Sequence, residues 1–194
     1  MPTLSASALP ACILALCLAS ALAQSAPKPT LSPDPLPDEQ ITIYRLLLAD
    51  YNNGSKAILN VSRTTRAFEP EEGDLAGCMK GFSKESSRAT VVHAFPANAF
   101  PTDTVRLVDP EKHKIRDPGT AIRQGESVDD AVNAGFANGL FTFSEIVFDT
   151  SHTHAALNYS FHCGSLCGHG STVIFTKDHG TWKKSKANCG SWIS

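Results

Sequence analysis

The sequence has little net charge and lacks the motifs that mark the commonest active sites. Its 17 Lys and Arg residues and 19 Asp and Glu residues leave a formal charge of −2, which gives no long-range attraction to nucleic acid or anionic lipid. It contains no Gly-x-Ser-x-Gly nucleophile elbow, no Cys-x-x-Cys redox pair and no glycine-rich phosphate loop. We therefore expect no nucleic-acid partner, and a non-catalytic protein is favoured over an enzyme.

Long apolar runs are also missing, apart from one at the N-terminus. Leu9 to Leu22 is short for a membrane span but has the length of a signal-peptide core, and Ala21-Leu22-Ala23 suits cleavage before Gln24. This pattern predicts a signal peptide over residues 1–23, a secreted or periplasmic location, and no stable membrane insertion after cleavage. A retained membrane anchor is the alternative.

Composition divides the remaining chain in two. Residues 24–37 are rich in Pro, Ser and Ala and predict an extended, poorly ordered spacer. The chain as a whole is 42% hydrophobic and 19% charged, as in an ordinary globular protein. Residues 38–194 are therefore expected to form a single α+β domain.

The first part of this domain predicts two helices and a few short strands. Asp38 to Tyr51 places an apolar face on a helix with Asp38 as its N-cap, the face being Ile41, Tyr44, Leu47, Leu48 and Tyr51. Ser127 to Ala137 predicts a second helix, capped by Ser127 with Asp130 in a capping-box position. Alternating apolar residues predict short strands at residues 56–63, 90–95 and 104–108.

The last part of the chain changes to β-structure. Four segments joined by short connections predict an antiparallel meander, with strands at Leu140–Phe148, His154–Cys163, Gly170–Lys177 and Thr181–Cys189. The expected fold is α+β, with the N-terminal helix packed on a curled antiparallel sheet that ends in this four-strand meander.

The stretch from Phe161 to Gly170 holds two cysteines, two histidines and three glycines at the tip of the central hairpin. If residues 164–166 are the loop, Cys163 lies opposite Cys167. Because side chains alternate along a strand, the odd-numbered residues then share an apolar face, and the even-numbered polar residues face solvent.

Cysteine pairing is the main structural prediction from this stretch. Opposed Cβ atoms lie roughly 4.5–5.5 Å apart, so a Cys163–Cys167 disulfide is feasible. In an exported domain Cys78 and Cys189 are then expected to pair, although spacing alone leaves three pairings open. From the entropy of loop closure we expect the Cys163–Cys167 disulfide to stabilise the folded protein by about 2 kcal/mol and the Cys78–Cys189 disulfide by about 5 kcal/mol.

A zinc site is the alternative use of the same residues. Cys163, Cys167 and His169 form its core, with a fourth ligand from Cys78, Cys189 or elsewhere. Cys-x3-Cys-x-His is a weak zinc signal, and an oxidising compartment favours disulfides. We therefore expect no cofactor, with zinc as the alternative.

Other polar residues are interpreted as structural or solvated. His93 and His113 stand alone, and Glu145 and Asp149 share the face of one strand, which is commonplace. The acidic segment Glu69–Asp74 predicts a solvated loop.

Several segments resemble a family of uncharacterised secreted bacterial proteins. The resemblance is strongest in the C-terminal third and is carried by Ile43–Leu48, Ser144–Asp149, Cys163–Gly170, Gly180–Lys183 and Trp192–Ser194. It implies a secreted α+β domain in which the cysteine hairpin and Trp182 are framework, and it transfers no catalytic residue.

These observations predict a secreted, disulfide-stabilised module that has a structural role or binds a cell-envelope component or small ligand. Two alternatives remain open. One is a zinc-binding protein, hydrolytic or not, centred on Cys163, Cys167 and His169. The other is a small-ligand pocket in the sheet.

Overall fold

The computed structural model describes residues 29–52, 57–70, 73–74, 76–83 and 89–194, apart from the side chains of residues 187 and 188. The signal peptide predicted over residues 1–23 and the first part of the predicted spacer lie outside the described residues. No helix in the described ranges has both the length and the apolar character that crossing a membrane requires.

The described residues form an α+β fold with few helices. The helices are α1 (Asp38–Asn52), α2 (Pro118–Arg123) and α3 (Val128–Ala137). The strands are β1 (Thr30–Leu31), β2 (Leu59–Ser62), β3 (Val91–Val92), β4 (Val105–Val108), β5 (Leu140–Phe143), β6 (Val147–Phe148), β7 (His154–Gly164), β8 (Cys167–Asp178) and β9 (Thr181–Ile193).

Seven strands form one mixed sheet. Its order is β4-β2-β5-β7-β8-β9, with β6 paired to β7. Strands β5, β7, β8 and β9 pair antiparallel, as predicted for the meander. Strand β2, however, is parallel to both β4 and β5. The expectation of an antiparallel sheet throughout is therefore wrong, because long crossover segments connect β2, β4 and β5 and bring them in parallel. The curl of the sheet stays a prediction.

Helix α1 packs on strand β5. Its buried residues are Ile41, Ile43, Tyr44, Leu47 and Leu48, four of which were predicted. The Tyr44 ring lies 5.0 Å from that of Phe143, and its hydroxyl donates to the Ser144 carbonyl at 2.8 Å. Asp38 is the first residue of the helix rather than its N-cap, since the Pro37 carbonyl accepts the amide of Ile41.

Helix α3 begins as predicted. The Ser127 hydroxyl accepts the Asp130 amide at 3.2 Å and donates to the Asp130 carboxylate at 2.7 Å. This cap fixes the start of the helix that leads into β5.

The second face of the β7–β8 hairpin is covered. Ser160 and Thr172 are buried there, next to a core of Phe68, Met79, Val147, Ala156, Ile174 and Cys189. The interpretation of this face as solvent-facing is wrong for these residues, because the segment around Phe68 and Met79 packs on it. The Cys78–Cys189 disulfide attaches that segment to β9.

Part of the predicted spacer also packs on the domain. Thr30 and Leu31 form β1, which pairs in parallel with β3, and Leu36 is buried in the main core. The chain is therefore extended here, as the prolines predict, but it contacts the folded part before α1 begins.

Candidate functional site

The predicted register of the central hairpin is confirmed as far as His162, which lies opposite Gly168. At the neck, a bulge places Gly164 rather than Cys163 opposite Cys167, so the predicted opposition of the two cysteines is wrong by one residue. The two sulfurs are bonded nevertheless, since the Cα atoms are 5.1 Å apart.

The second disulfide joins Cys78 to Cys189, with Cα atoms 5.4 Å apart. Both bridges therefore follow the pairing expected from the sequence. All four cysteines in the described residues are used, and the hairpin is closed at its neck.

Asp117 attaches the hairpin loop to helix α2. One carboxylate oxygen accepts the amide of Ser165 at 2.8 Å and its hydroxyl at 3.0 Å. The other accepts the amide of Thr120 at 2.9 Å and so caps α2. These hydrogen bonds, first of all that from the Ser165 amide, hold the pKa of Asp117 well below its ordinary value.

Close packing explains the glycines of the hairpin. Gly164 has φ +152°, and a Cβ there would lie 2.6 Å from an Asp117 carboxylate oxygen and 2.7 Å from Pro118 Cδ. A Cβ on Gly170 would lie 2.6 Å from the indole nitrogen of Trp192. These distances are too short for any side chain, so the glycines serve the framework.

The residues of the zinc hypothesis do not converge here. Cys163 and Cys167 are bonded to each other, whereas zinc binds thiolate. The His169 ring instead stacks on Tyr51, with centroids 5.7 Å apart, and lies 5.6 Å from the Phe161 ring. Zinc binding therefore requires reduced thiols and stays a hypothesis.

One group among the described residues does bring possible ligand atoms together. Asp74, Cys78 and Cys189 have such atoms within 4.8 Å of one another. The two cysteines form a disulfide, however, and Asp74 accepts a hydrogen bond from the Thr172 hydroxyl at 3.1 Å. The predicted solvated loop thus ends in a buried carboxylate.

A buried polar cluster was not predicted from the sequence. One Glu145 oxygen accepts the His93 amide at 2.8 Å and the Thr65 hydroxyl, and His93 Nδ1 lies 3.0 Å from it. Glu145 is only 3% exposed, and its hydrogen bonds hold the segments of Thr65 and His93 against the sheet. The sequence signal for this cluster is a single polar, ionisable residue within each of two apolar segments, Leu140–Phe148 and Thr90–Phe95.

The remaining predicted polar residues have separate structural partners. Asp149 is not paired with Glu145 but accepts the amides of Thr153 and His154 at 2.8 and 2.9 Å. His113 Nε2 lies 2.8 Å from the Asn138 carbonyl. Both arrangements fix turns and helix ends.

A half-exposed polar cluster fixes the start of α1. Glu39 accepts hydrogen bonds from Lys177 at 2.6 Å and from the Trp182 indole at 2.9 Å, and His152 Nε2 lies 2.9 Å from its second oxygen. The bond from Lys177 is the main cause that lowers the pKa of Glu39 to about 2. Trp182 is buried by this contact, which suits a framework role.

The open surface carries a cleft at the parallel edge of the sheet, which we call the arginine cleft. Its volume is about 420 Å³, and its lining includes Ile58, Arg63, Phe95, Phe100, Val105 and Arg106. Phe95, Phe100 and Val105 are buried and form an apolar floor. The two arginines are exposed, so they lie at the rim.

A second cleft, the hairpin cleft, lies beside the Cys163–Cys167 disulfide. Its volume is about 370 Å³, and its lining includes Pro118, Val132, Phe136, Leu166, His169 and Ile193. Leu166 and Ile193 are 87% and 88% exposed, so they project into solvent and enclose little space.

Comparison with protein-family models, with curated proteins and with solved structures found no match for this chain. The resemblance to secreted bacterial proteins therefore stays a prediction.

Proposed function

We propose that this chain is a secreted or periplasmic, disulfide-stabilised module that acts by binding a small apolar ligand in the arginine cleft. The observation that carries the proposal is the cleft itself. Apolar, buried residues form its floor, few polar groups converge at its rim, and its volume is within the range of small-molecule sites, about 300–1,000 Å³.

The cysteine hairpin supports this proposal by its structural role. Its disulfide, the Asp117 hydrogen bonds and the close contacts of Gly164 and Gly170 all hold the hairpin in place. The cysteine hairpin, the stretch richest in reactive side chains, therefore has a structural role in this proposal. The ligand is expected to bind elsewhere, on the open surface.

The ligand site lies at the edge of the sheet rather than within it. Between α1 and β5, the rings of Tyr44, Phe141 and Phe143 pack against one another with centroids 5.0 Å apart for Tyr44–Phe143 and Phe141–Phe143. This packing of the rings favours a ligand site on the surface over one within the sheet. The arginine cleft is preferred over the hairpin cleft because Phe95, Phe100 and Val105 form a buried floor in it, whereas Leu166 and Ile193 of the hairpin cleft project into solvent.

The location outside the cytosol is supported by two features. The N-terminal pattern is that of a signal peptide, and disulfides persist in oxidising compartments. The resemblance to secreted bacterial proteins agrees with both.

The binding proposal is tested with the neutral dye N-phenyl-1-naphthylamine, whose fluorescence rises in apolar sites. We expect one dye per chain and a several-fold weaker affinity in Ile58→Ser. Val91→Ser is the matched control, because Val91 is 46% exposed and lies outside the cleft while Ile58 is 41% exposed and lines it. Equal affinities in the two variants would refute the proposed site.

The disulfide state is tested by the intact mass of the mature protein, denatured with and without reductant, together with metal analysis. A gain of about 4 Da on reduction, without metal, is expected for two disulfides. An unchanged mass with one zinc per chain would overturn the framework role of the hairpin and support the zinc alternative at Cys163, Cys167 and His169.

A further inference from the structure

Two guanidinium groups at the rim of the arginine cleft have no acidic partner among the described residues. Arg63 directly follows β2, and Arg106 lies in the neighbouring parallel strand β4. Two other arginines have partners: Arg116 pairs with Glu126, and Arg45 donates to backbone carbonyls. The rim therefore carries two positive charges that the described part of the fold does not neutralise.

The main chain around Arg63 is fixed. Its amide donates to the Val108 carbonyl at 2.8 Å, and its carbonyl accepts the Phe95 amide at 2.9 Å. One residue thus connects the end of β4 to the floor of the cleft. The main chain from which the Arg63 side chain extends is therefore fixed before any ligand arrives, which reduces the backbone entropy lost on binding.

The loop that carries Phe100 is fixed from the opposite side. Arg45 of α1 donates to the carbonyls of Ala99 at 2.5 Å and Asn98 at 3.1 Å, and the Ala99 amide donates to the Pro96 carbonyl at 2.8 Å. The apolar floor is therefore preformed.

Charge and apolarity together define the class of ligand. An apolar chain or ring covers the floor of Phe95, Phe100 and Val105, and a planar anion at its end matches the forked donors of a guanidinium. An uncharged apolar molecule makes only the first of these contacts.

We infer that the arginine cleft binds a carboxylate-bearing amphiphile, a small molecule with an apolar body and one carboxylate held by Arg63 and Arg106. This inference rests on the proposed function, because it names the ligand class of the same cleft. The carboxylate lies at the rim, and the apolar body lies on the floor.

The experiment compares decanoate with 1-decanol, which has the same chain and no charge, by titrating ¹⁵N-labelled protein at pH 7. We expect decanoate to shift the amides of Phe95, Val105 and Arg106 and to bind about tenfold more tightly than 1-decanol. Arg63→Gln and Arg106→Gln should each remove most of this preference and leave 1-decanol binding unchanged. Arg116→Gln, which breaks an ion pair elsewhere, is the matched control.

Each other outcome overturns the inference. Equal affinities of decanoate and 1-decanol for the cleft would refute recognition of the carboxylate but would be consistent with the proposed binding function. If neither decanoate nor 1-decanol binds but N-phenyl-1-naphthylamine does, the carboxylate is likewise refuted and the proposed binding function is retained. A preference for decanoate that survives both arginine variants would place the anion elsewhere. A ligand-free dimer in sedimentation, with broadened amides along β4, would identify a second copy of the chain as the occupant. The variants' amide spectra show whether each remains folded.

Discussion

The indole of Trp182 donates a hydrogen bond to the carboxylate of Glu39 at 2.9 Å, across 143 residues of sequence. Lys177 donates to the same oxygen at 2.6 Å, and its ammonium group lies 5.3 Å from the centroid of the Trp182 ring. One carboxylate in the first turn of α1 therefore joins the helix to the last hairpin of the sheet.

This carboxylate predicts a pH-dependent stability. The pKa of Glu39 falls from its ordinary 4.5 to about 2 in the folded protein, mainly through the hydrogen bond from Lys177. Because the folded pKa is the lower one, the contribution is complete above about pH 4.5 and is lost as the pH falls towards 2. Glu39→Gln should lower the free energy of unfolding by about 1 kcal/mol at pH 7, after allowance for solvent screening.

The measurement is urea unfolding of Glu39→Gln and the native sequence at pH 7 and pH 3. The difference between them should shrink at the lower pH. Glu126→Gln, in the exposed ion pair with Arg116, is the control and should cost less than about 0.5 kcal/mol. An equal loss at both pH values would show that the charge of Glu39 is not what stabilises the helix start.

The two disulfides should differ in their contribution to stability. The Cys78–Cys189 bridge spans 111 residues and the Cys163–Cys167 bridge spans four. Loop entropy therefore predicts a loss of about 5 kcal/mol when both cysteines of the first pair become Ala and about 2 kcal/mol for the second pair. Denaturant unfolding of the two double variants measures this, and equal losses would contradict the entropic account.

Glu145 should be intolerant of truncation. In Glu145→Ala the Thr65 hydroxyl and the His93 amide each lose one of two acceptors, because the hydroxyl also lies 3.2 Å from the His93 carbonyl and the amide 2.8 Å from the Thr65 hydroxyl oxygen. We therefore expect a loss of about 2 kcal/mol in the free energy of unfolding. Glu145→Gln retains an acceptor oxygen and should lose less. Urea unfolding of both variants is the measurement. A Glu145→Ala variant as stable as the native protein would show that this cluster does not hold the segment of Thr65 and His93 on the sheet.

Gly164 should tolerate alanine less well than Gly180. Both have positive φ, but a Cβ on Gly164 would lie 2.6 Å from Asp117, whereas nothing lies within 4 Å of one on Gly180. We expect Gly180→Ala to cost about 1 kcal/mol from its backbone conformation and Gly164→Ala about 3 kcal/mol from conformation and contact together. Thermal unfolding compares the two. Equal costs would mean that the contact with Asp117 relaxes freely.

Elements with a clear local pattern could be predicted from the sequence. The cap at Ser127, the apolar face of α1 and the alternation along β7 and β8 each depend on neighbouring residues. The bulge at Gly164 could not be predicted, because Asp117 and Pro118, which pack against it, lie in a distant part of the chain.

The burial of some polar residues could not be predicted from the sequence either. Thr172 is polar by sequence, yet it is buried because its hydroxyl bonds to Asp74 and Asn158. Arg63 and Arg106 meet at one cleft only because β2 and β4 are parallel neighbours. That pairing depends on a long crossover segment with no periodic pattern, so the sequence could not reveal the cleft.

The unequal spans of the two disulfides also predict an order in which the chain is oxidised. During synthesis from the N-terminus, Cys78 emerges before its native partner, and Cys163 and Cys167 emerge before Cys189. Because closing a loop of four residues loses little chain entropy, we expect these two cysteines to pair with each other in preference to Cys78. The disulfide that stabilises the folded protein least would thus protect against mispairing, because among the four cysteines of the described residues it leaves Cys189 as the partner for Cys78.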